Sequence, residues 1–354
     1  MALVFAFGVV LLISVSLSGV AARTVLSTAL LFLVAGALLG QGGFGLITVN
    51  PSDPLVTVLA DVALFTVLFT DGQRASLPAL RESWRLSGRA LGLGMPLTLV
   101  GLAVPAHFLA GLDWPTALLV GAILSPTDPV FASAIVGRSD VPLRLRRLLN
   151  VESGLNDGLA LPFVLIFLSI AARERSHLGE VALELVGGLV LGIALPAVVA
   201  WAWRSRVLTA EPRLQPLGPL AIAVMLYGAC HVSGANPYLA AFAAGSTLAT
   251  LDRVAAESFE PFGDLTSEIT KFAALLVFGA LITPDRLSHL SLGAWVVAVL
   301  AIVLVRPAAM LLHSSTDVPV ARALRVEPPD NLPCGAADHD DEVASRQHRE
   351  RSSG

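Results

Sequence analysis

The sequence predicts an all-α polytopic membrane protein of about eleven transmembrane helices, and three observations carry that prediction. Hydrophobic residues make up 55% of the 354 and charged residues only 14%, where a soluble domain carries roughly 25% charged. The mean hydropathy is +0.75, as expected of a chain solvated mostly by lipid. The apolar residues also fall into long runs, and about 20 of them in a helix cross a hydrocarbon core roughly 30 Å thick.

That window gives spans near 3–21, 24–40, 54–71, 87–110, 114–136, 150–172, 180–203, 216–232, 235–250, 265–282 and 290–313. The first ends in the small residues Val20-Ala21-Ala22, like a secretory signal, but no positive segment precedes it, so it is read as a retained span. The seams carry turn chemistry: Gln41-Gly42-Gly43, Asn50-Pro51-Ser52-Asp53-Pro54, Gly111-Leu112-Asp113 and Ser233-Gly234-Ala235-Asn236-Pro237. The eighth and ninth spans are short, which predicts a helix pair broken by a tight turn.

Arginine in short loops sets the orientation, because the cytoplasmic side collects Lys and Arg. Arg74, Arg81, Arg85 and Arg89 follow the third span; Arg138, Arg144, Arg146 and Arg147 follow the fifth; Arg204, Arg206 and Arg213 follow the seventh. Odd-numbered exits therefore face the cytoplasm and the N-terminus lies outside. Residues 1–313 form the transmembrane domain. Residues 314–354, with Glu327-Pro328-Pro329-Asp330 and Asp338-His339-Asp340-Asp341-Glu342, read as a disordered polar cytoplasmic tail.

Several function classes drop out. A net charge of −4 without a basic, aromatic-interleaved patch argues against nucleic acid as a partner. Cys230 and Cys334 have no metal-ligand spacing. No phosphate-binding glycine loop and no nucleophile–histidine pattern is present, so neither an enzyme, nor a bound cofactor, nor transport driven directly by ATP is expected. Energy would come from an ion gradient.

Charge inside the apolar runs marks the site, because an ionisable residue in a span is costly and functional by default. Pro126 and Pro129 in the fifth span each lack an N–H and clash with the carbonyl four residues back, freeing carbonyls near Ala122 and Ser125. Such broken helix is tolerated only in protein or against a wet cavity. Hard cations take carbonyl, hydroxyl and carboxylate oxygens, and Thr127, the unwound backbone and Asp128 offer all three. In the sixth span Glu152, Ser153, Asn156 and Asp157 share one helical stripe. Burial disfavours the charged form of Asp157, whereas a bound cation or a nearby arginine favours it. A carboxylate so placed holds a proton or a metal ion, not both. A structural carboxylate–amide pair is the competing account.

Arg306, in the eleventh span, needs a carboxylate partner, and Glu152 is assigned as the other half of that structural ion pair. Lys271 is expected to pair with Glu268 at i, i+3. Asp61 and Asp71 are weaker candidates: Asp71 either lines an access funnel or is an exposed helix-end residue. His231 reads as a satisfied helix-end histidine.

Thr127-Asp128-Pro129-Val130, the arginine-rich loop to Leu148-Leu149-Asn150, and Glu152-Ser153-Gly154-Leu155-Asn156-Asp157-Gly158 resemble the paired signature of the monovalent cation:proton antiporters of the sodium/proton exchanger type. Leu39-Gly40, the stretch from Gly234 to Gly245, Phe278-Gly279 and Arg306-Pro307 extend the likeness over residues 1–313. The resemblance implies that Asp157 alternately binds cation and proton, with Asn156 beside it as in electroneutral exchangers. It implies that Thr127 and Ser153 help coordinate the ion and that Glu152 ties Asn156 to Arg306. It further implies an inverted-repeat fold with crossed, interrupted helices, a homodimer in the cell membrane, and Na⁺ (or K⁺ or Li⁺) and H⁺ as the ions handled. No metal is implied beyond the transported cation. Family members continue past the Arg-Pro span into two more helices. Here the polar tail follows instead, so the fold is expected to lack its last two helices. The alternative to exchange is a truncated or frameshifted, non-transporting chain that keeps only the membrane fold.

Overall fold

A computed structural model describes residues 2–21, 28–78, 81, 94–126, 158–172, 178–203, 211 and 214–305, all within the unit Met1–Ala309. Every regular element among the described residues is helical. They are α1 (Ala2–Ala21), α2 (Thr28–Leu39), α3 (Pro54–Arg74), α4 (Met95–Phe108), α5 (Trp114–Leu124), α6 (Gly158–Ala171), α7 (Leu178–Trp203), α8 (Leu217–Ser233), α9 (Pro237–Leu251), α10 (Arg253–Ala280), α11 (Pro284–Ser288) and α12 (Leu292–Leu300). A π-helical turn, Ala301–Val305, continues α12.

Each expected span has a helix within it. Among the described residues, α3 and α7 alone combine span length with sufficient hydropathy. The expected spans 24–40, 87–110, 114–136, 150–172 and 290–313 run partly outside the described residues. The tenth span is corrected: its helix starts at Arg253, not near 265. Asp252 caps it by accepting from the Ala255 N–H at 3.0 Å, which satisfies a donor the first turn would leave bare. Glu257, Glu260, Asp264 and Glu268 then recur at helical spacing, so a hydropathy window discards a stretch that amphipathic periodicity keeps. The α8–α9 turn is as expected. Gly234 takes φ +71°, and Asn236 Oδ1 accepts from the N–H groups of Tyr238 and Leu239 at 3.2 and 2.9 Å.

The packing centres on α9, which lies against α3 and α7 and also meets α8 and α10; α10 packs on α2 and α3. Between lipid-solvated helices no hydrophobic difference drives association, so close packing of small residues must do it. Ala240, Ala241, Ala244 and Gly245 of α9 are buried accordingly. A Cβ on Gly245 would collide with the Phe69 carbonyl oxygen, and one on Gly72 with the Phe242 carbonyl oxygen. Thus α3 and α9 touch backbone to backbone at two reciprocal glycines. Phe65, Leu68 and Phe69 of α3, Leu161 of α6, Leu226 of α8 and Phe259 of α10 close the core around this crossing. A second cluster joins α1, α2 and α10, where Phe32 stacks on Phe272 with centroids 4.8 Å apart. A third joins α4, α5 and α12 through Ala103, Ala106, Ala117 and Val297.

Candidate functional site

The end of α5 shows how a proline break is made tolerable. Pro126 cannot donate to the Ala122 carbonyl, as an ordinary residue four positions on would. The Ser125 hydroxyl donates to it instead, at 3.1 Å, and Ser125 is 3% exposed. The freed carbonyl at Ala122 is therefore satisfied from within the break. Thr127, Asp128, Glu152, Ser153, Asn156, Asp157 and Arg306 lie outside the described residues. Pro126, Gly158 and Val305, which adjoin Thr127, Asp157 and Arg306, are described. Val305, which precedes Arg306, is placed against α4: a Cβ on Gly101 would lie 3.2 Å from its Cγ1.

Gly158, which follows Asp157, opens α6 and is buried. A Cβ there would lie 2.6 Å from the Phe242 ring of α9. The carbonyl of the same Phe242 sits on Gly72 of α3, next to Asp71. One residue of α9 thus stands between the helix that begins beside Asp157 and the helix that ends beside Asp71. Nothing in the periodicity of 235–250 singles Phe242 out, since its role comes from two glycines distant in sequence.

Asp71 is not an exposed helix-end residue. It is 8% exposed, and its Oδ1 accepts from Arg74 Nη1 at 3.1 Å. Arg74 Nη2 donates to Asp264 Oδ1 of α10 at 2.8 Å. The start of α10 at Arg253 puts Asp264 mid-helix, which a span beginning near 265 could not anticipate. Above this clamp, Thr66 and Thr270 hydroxyls share a hydrogen bond at 2.8 Å. Thr70 donates back to Thr66 and Val67 carbonyls, at 3.1 and 2.8 Å. A polar stripe therefore runs along the α3–α10 seam from Thr66 to Arg74.

Two further expectations are settled by neighbours. Lys271 forms no ion pair with Glu268; its Nζ lies 5.9 Å from the Phe272 ring centroid, a cation–π distance that compensates charge on a helix with an apolar flank. Asp61 accepts from the Tyr238 hydroxyl of α9 at 2.6 Å, which makes it a helix-to-helix fastener. His231 is satisfied as expected, with Nδ1 2.9 Å from the Tyr227 carbonyl.

Replacing Arg74 with methionine is expected to leave Asp71 buried without a cation. A fully buried pair broken on one side loses roughly 3–5 kcal/mol. Because 35% of the Arg74 side chain is exposed, a loss of about 2 kcal/mol is expected here. Thermal inactivation of the detergent-solubilised protein reads it. The double variant Asp71→Asn/Arg74→Met should recover much of the loss, since removing both partners leaves no orphan charge.

The all-helical fold, with a proline closing α5 and Asp71 buried in the apolar α3, is that of a polytopic membrane protein. The sodium/hydrogen exchanger, transmembrane, family matches residues 8–320, and the chain belongs to that family, whose members are transporters and not enzymes. It is 25% identical over 313 residues to the K(+)/H(+) antiporter NhaP of Alkalimonas amylolytica, covering 87% of this chain and 54% of that protein. It is 27% identical over 306 residues to the K(+)/H(+) antiporter NhaP2 of Shewanella sp. (strain ANA-3), covering 85% and 53%. The chain spans about half the length of these curated relatives. The structure of the sodium proton antiporter MjNhaP1 from Methanocaldococcus jannaschii at pH 8 superposes with a TM-score of 0.70 at 19% identity, covering 90% of this chain and 80% of that one. That likeness establishes the fold.

Proposed function

We propose that this chain is a secondary transporter that exchanges a monovalent cation for H⁺ by alternating access. The observation that carries the reading is the meeting at Phe242 of Gly158, beside Asp157, and Gly72, beside Asp71. It supports a convergence of α3, α6 and α9 near the exchanging carboxylate. Asp157 takes cation and proton in turn; Asn156, Thr127, Ser153 and Asp128 supply further oxygens; Glu152 is held by Arg306. Asp71, screened by Arg74, lines the approach and is no direct ligand. The asparagine at 156 leaves one exchanging carboxylate, which makes the cycle electroneutral. Na⁺ is the first cation to test and K⁺ and Li⁺ the next, because the same oxygen ligands accept all three. The protein acts in the cell membrane, N-terminus outside, as a homodimer. The family match to residue 320 supports transport over a chain that keeps only the membrane fold.

Everted vesicles carrying the protein and an imposed pH gradient test this. Addition of Na⁺ is expected to collapse the gradient, equally with the membrane potential clamped or free. A gradient untouched by Na⁺, K⁺ and Li⁺, with the protein present in the membrane, overturns it.

A further inference from the structure

The contact between α6 and α9 is apolar up to the start of α6. Leu161 and Leu165 share a helical stripe with Gly158 and pack on the core that α9 forms with α3. The stripe ends at buried Gly158, where a Cβ would lie 2.6 Å from the Phe242 ring. The ring thus fills the place that a side chain at 158 would take. It is the last apolar group of the seam before Asp157. On bond lengths alone, its nearest atoms lie within roughly 8 Å of the Asp157 Cα.

No neighbour on α9 can take over from this ring. Between Leu239 and Leu248 every residue other than Phe242 is Ala, Gly, Ser or Thr. Nor can the α9 backbone slide towards α6. The Phe242 carbonyl oxygen sits on Gly72, and Gly245 sits on the Phe69 carbonyl oxygen. Phe242 is therefore held to α3 by its backbone and reaches α6 by its ring. Removing the ring would leave α3 and α9 joined and open a gap at the start of α6, because packed surroundings collapse into a void only in part. The gap has room for about two or three waters at roughly 30 Å³ each, and a void beside a polar group fills where an apolar one stays dry.

We propose that the Phe242 ring is the seal that couples cation to proton, by keeping water out of the α6–α9 contact beside Asp157. The proposal rests on the exchange reading above. A carboxylate that takes proton and cation in turn exchanges them strictly only while its proton has no second way out. A proton on Asp157 that could leave through water at this contact would cross without any cation taking its place. Excluding water from a site is a general guard against such leakage. Phe242 binds neither ion and acts through the water it displaces, so it is a positioning residue.

The decay of an imposed pH gradient in everted vesicles tests this, in choline medium free of Na⁺, K⁺ and Li⁺, with a permeant anion to dissipate the membrane potential. Phe242→Ala is expected to speed the decay about tenfold, the weight that half-burying one phenyl ring lends to a closed contact. Phe242→Val, which loses less volume, should leak less than the alanine variant but more than wild type, and carries the test if the alanine variant does not fold. Phe242→Leu refills most of the space and should restore the wild-type decay. In Phe242→Ala/Asp157→Asn the leak should fall to the wild-type level, since its path runs through that carboxylate. A wild-type decay in the folded alanine or valine variant overturns the seal. So does a leak that survives Asp157→Asn, which would come from a damaged helix bundle and not from the site. A wild type on which Na⁺, K⁺ and Li⁺ have no effect overturns the transport reading itself, which separates the two failures.

Discussion

Asp157→Asn is expected to abolish cation-dependent proton movement in everted vesicles while leaving the amount of folded protein unchanged. Asparagine keeps the size of the side chain but neither ionises nor carries a transported proton. A cation in a desolvated site that loses its one charged partner forfeits roughly 3–5 kcal/mol, and each 1.4 kcal/mol is about tenfold in affinity. The expected loss of exchange is therefore on the order of a hundredfold or more, below the background leak of such vesicles. Unchanged exchange in this variant would refute the assignment of Asp157. Because Gly158 already packs on Phe242, a neutral isostere next to it asks for no repacking of that contact. Loss of folded protein in this variant would instead mark Asp157 as structural.

The second large effect falls on the scaffold. Gly245→Val is expected to prevent formation of the α3–α9 pair. The Cβ alone would occupy the place of the Phe69 carbonyl oxygen and come within 2.8 Å of the Gln73 nitrogen. Both are backbone atoms, which no rotamer change moves aside. Overpacking a core with flexible neighbours costs typically about 1–3 kcal/mol. Here the helices must part, loosening Phe69 and Leu248, so a loss of at least about 3 kcal/mol is expected. Gly228→Val is the matched control, because a Cβ on Gly228 meets nothing within 4 Å. Size-exclusion profiles of fluorescent fusions should show the Gly228 variant monodisperse and the Gly245 variant aggregated or absent. A monodisperse Gly245→Val of wild-type thermal stability would show that α3 and α9 do not meet as described.

Much of the fold was legible in the sequence because the bilayer imposes local rules. Apolar length marks a span, and an Asn-Pro after a glycine marks the turn between α8 and α9. Pro126 four residues after Ala122 marks a freed carbonyl, which the Ser125 hydroxyl satisfies. The start of α10 was missed because a hydropathy window is blind to an amphipathic helix capped by Asp252. The choice between a funnel and an exposed end for Asp71 was not legible, because its burial comes from α9 and α10 and not from its own flanks.

By itself, then, the sequence determined where charge sits inside apolar runs and which family the chain belongs to. Both depend on residue types at short spacing, and the cost of bare polar groups in lipid enforces them locally. Only the tertiary structure decided who meets whom. Phe242 between Gly72 and Gly158, Arg74 reaching Asp264, and Tyr238 reaching Asp61 all join helices far apart in the chain. Such partners are chosen by the fit of small residues between whole helices, and no local pattern encodes that fit.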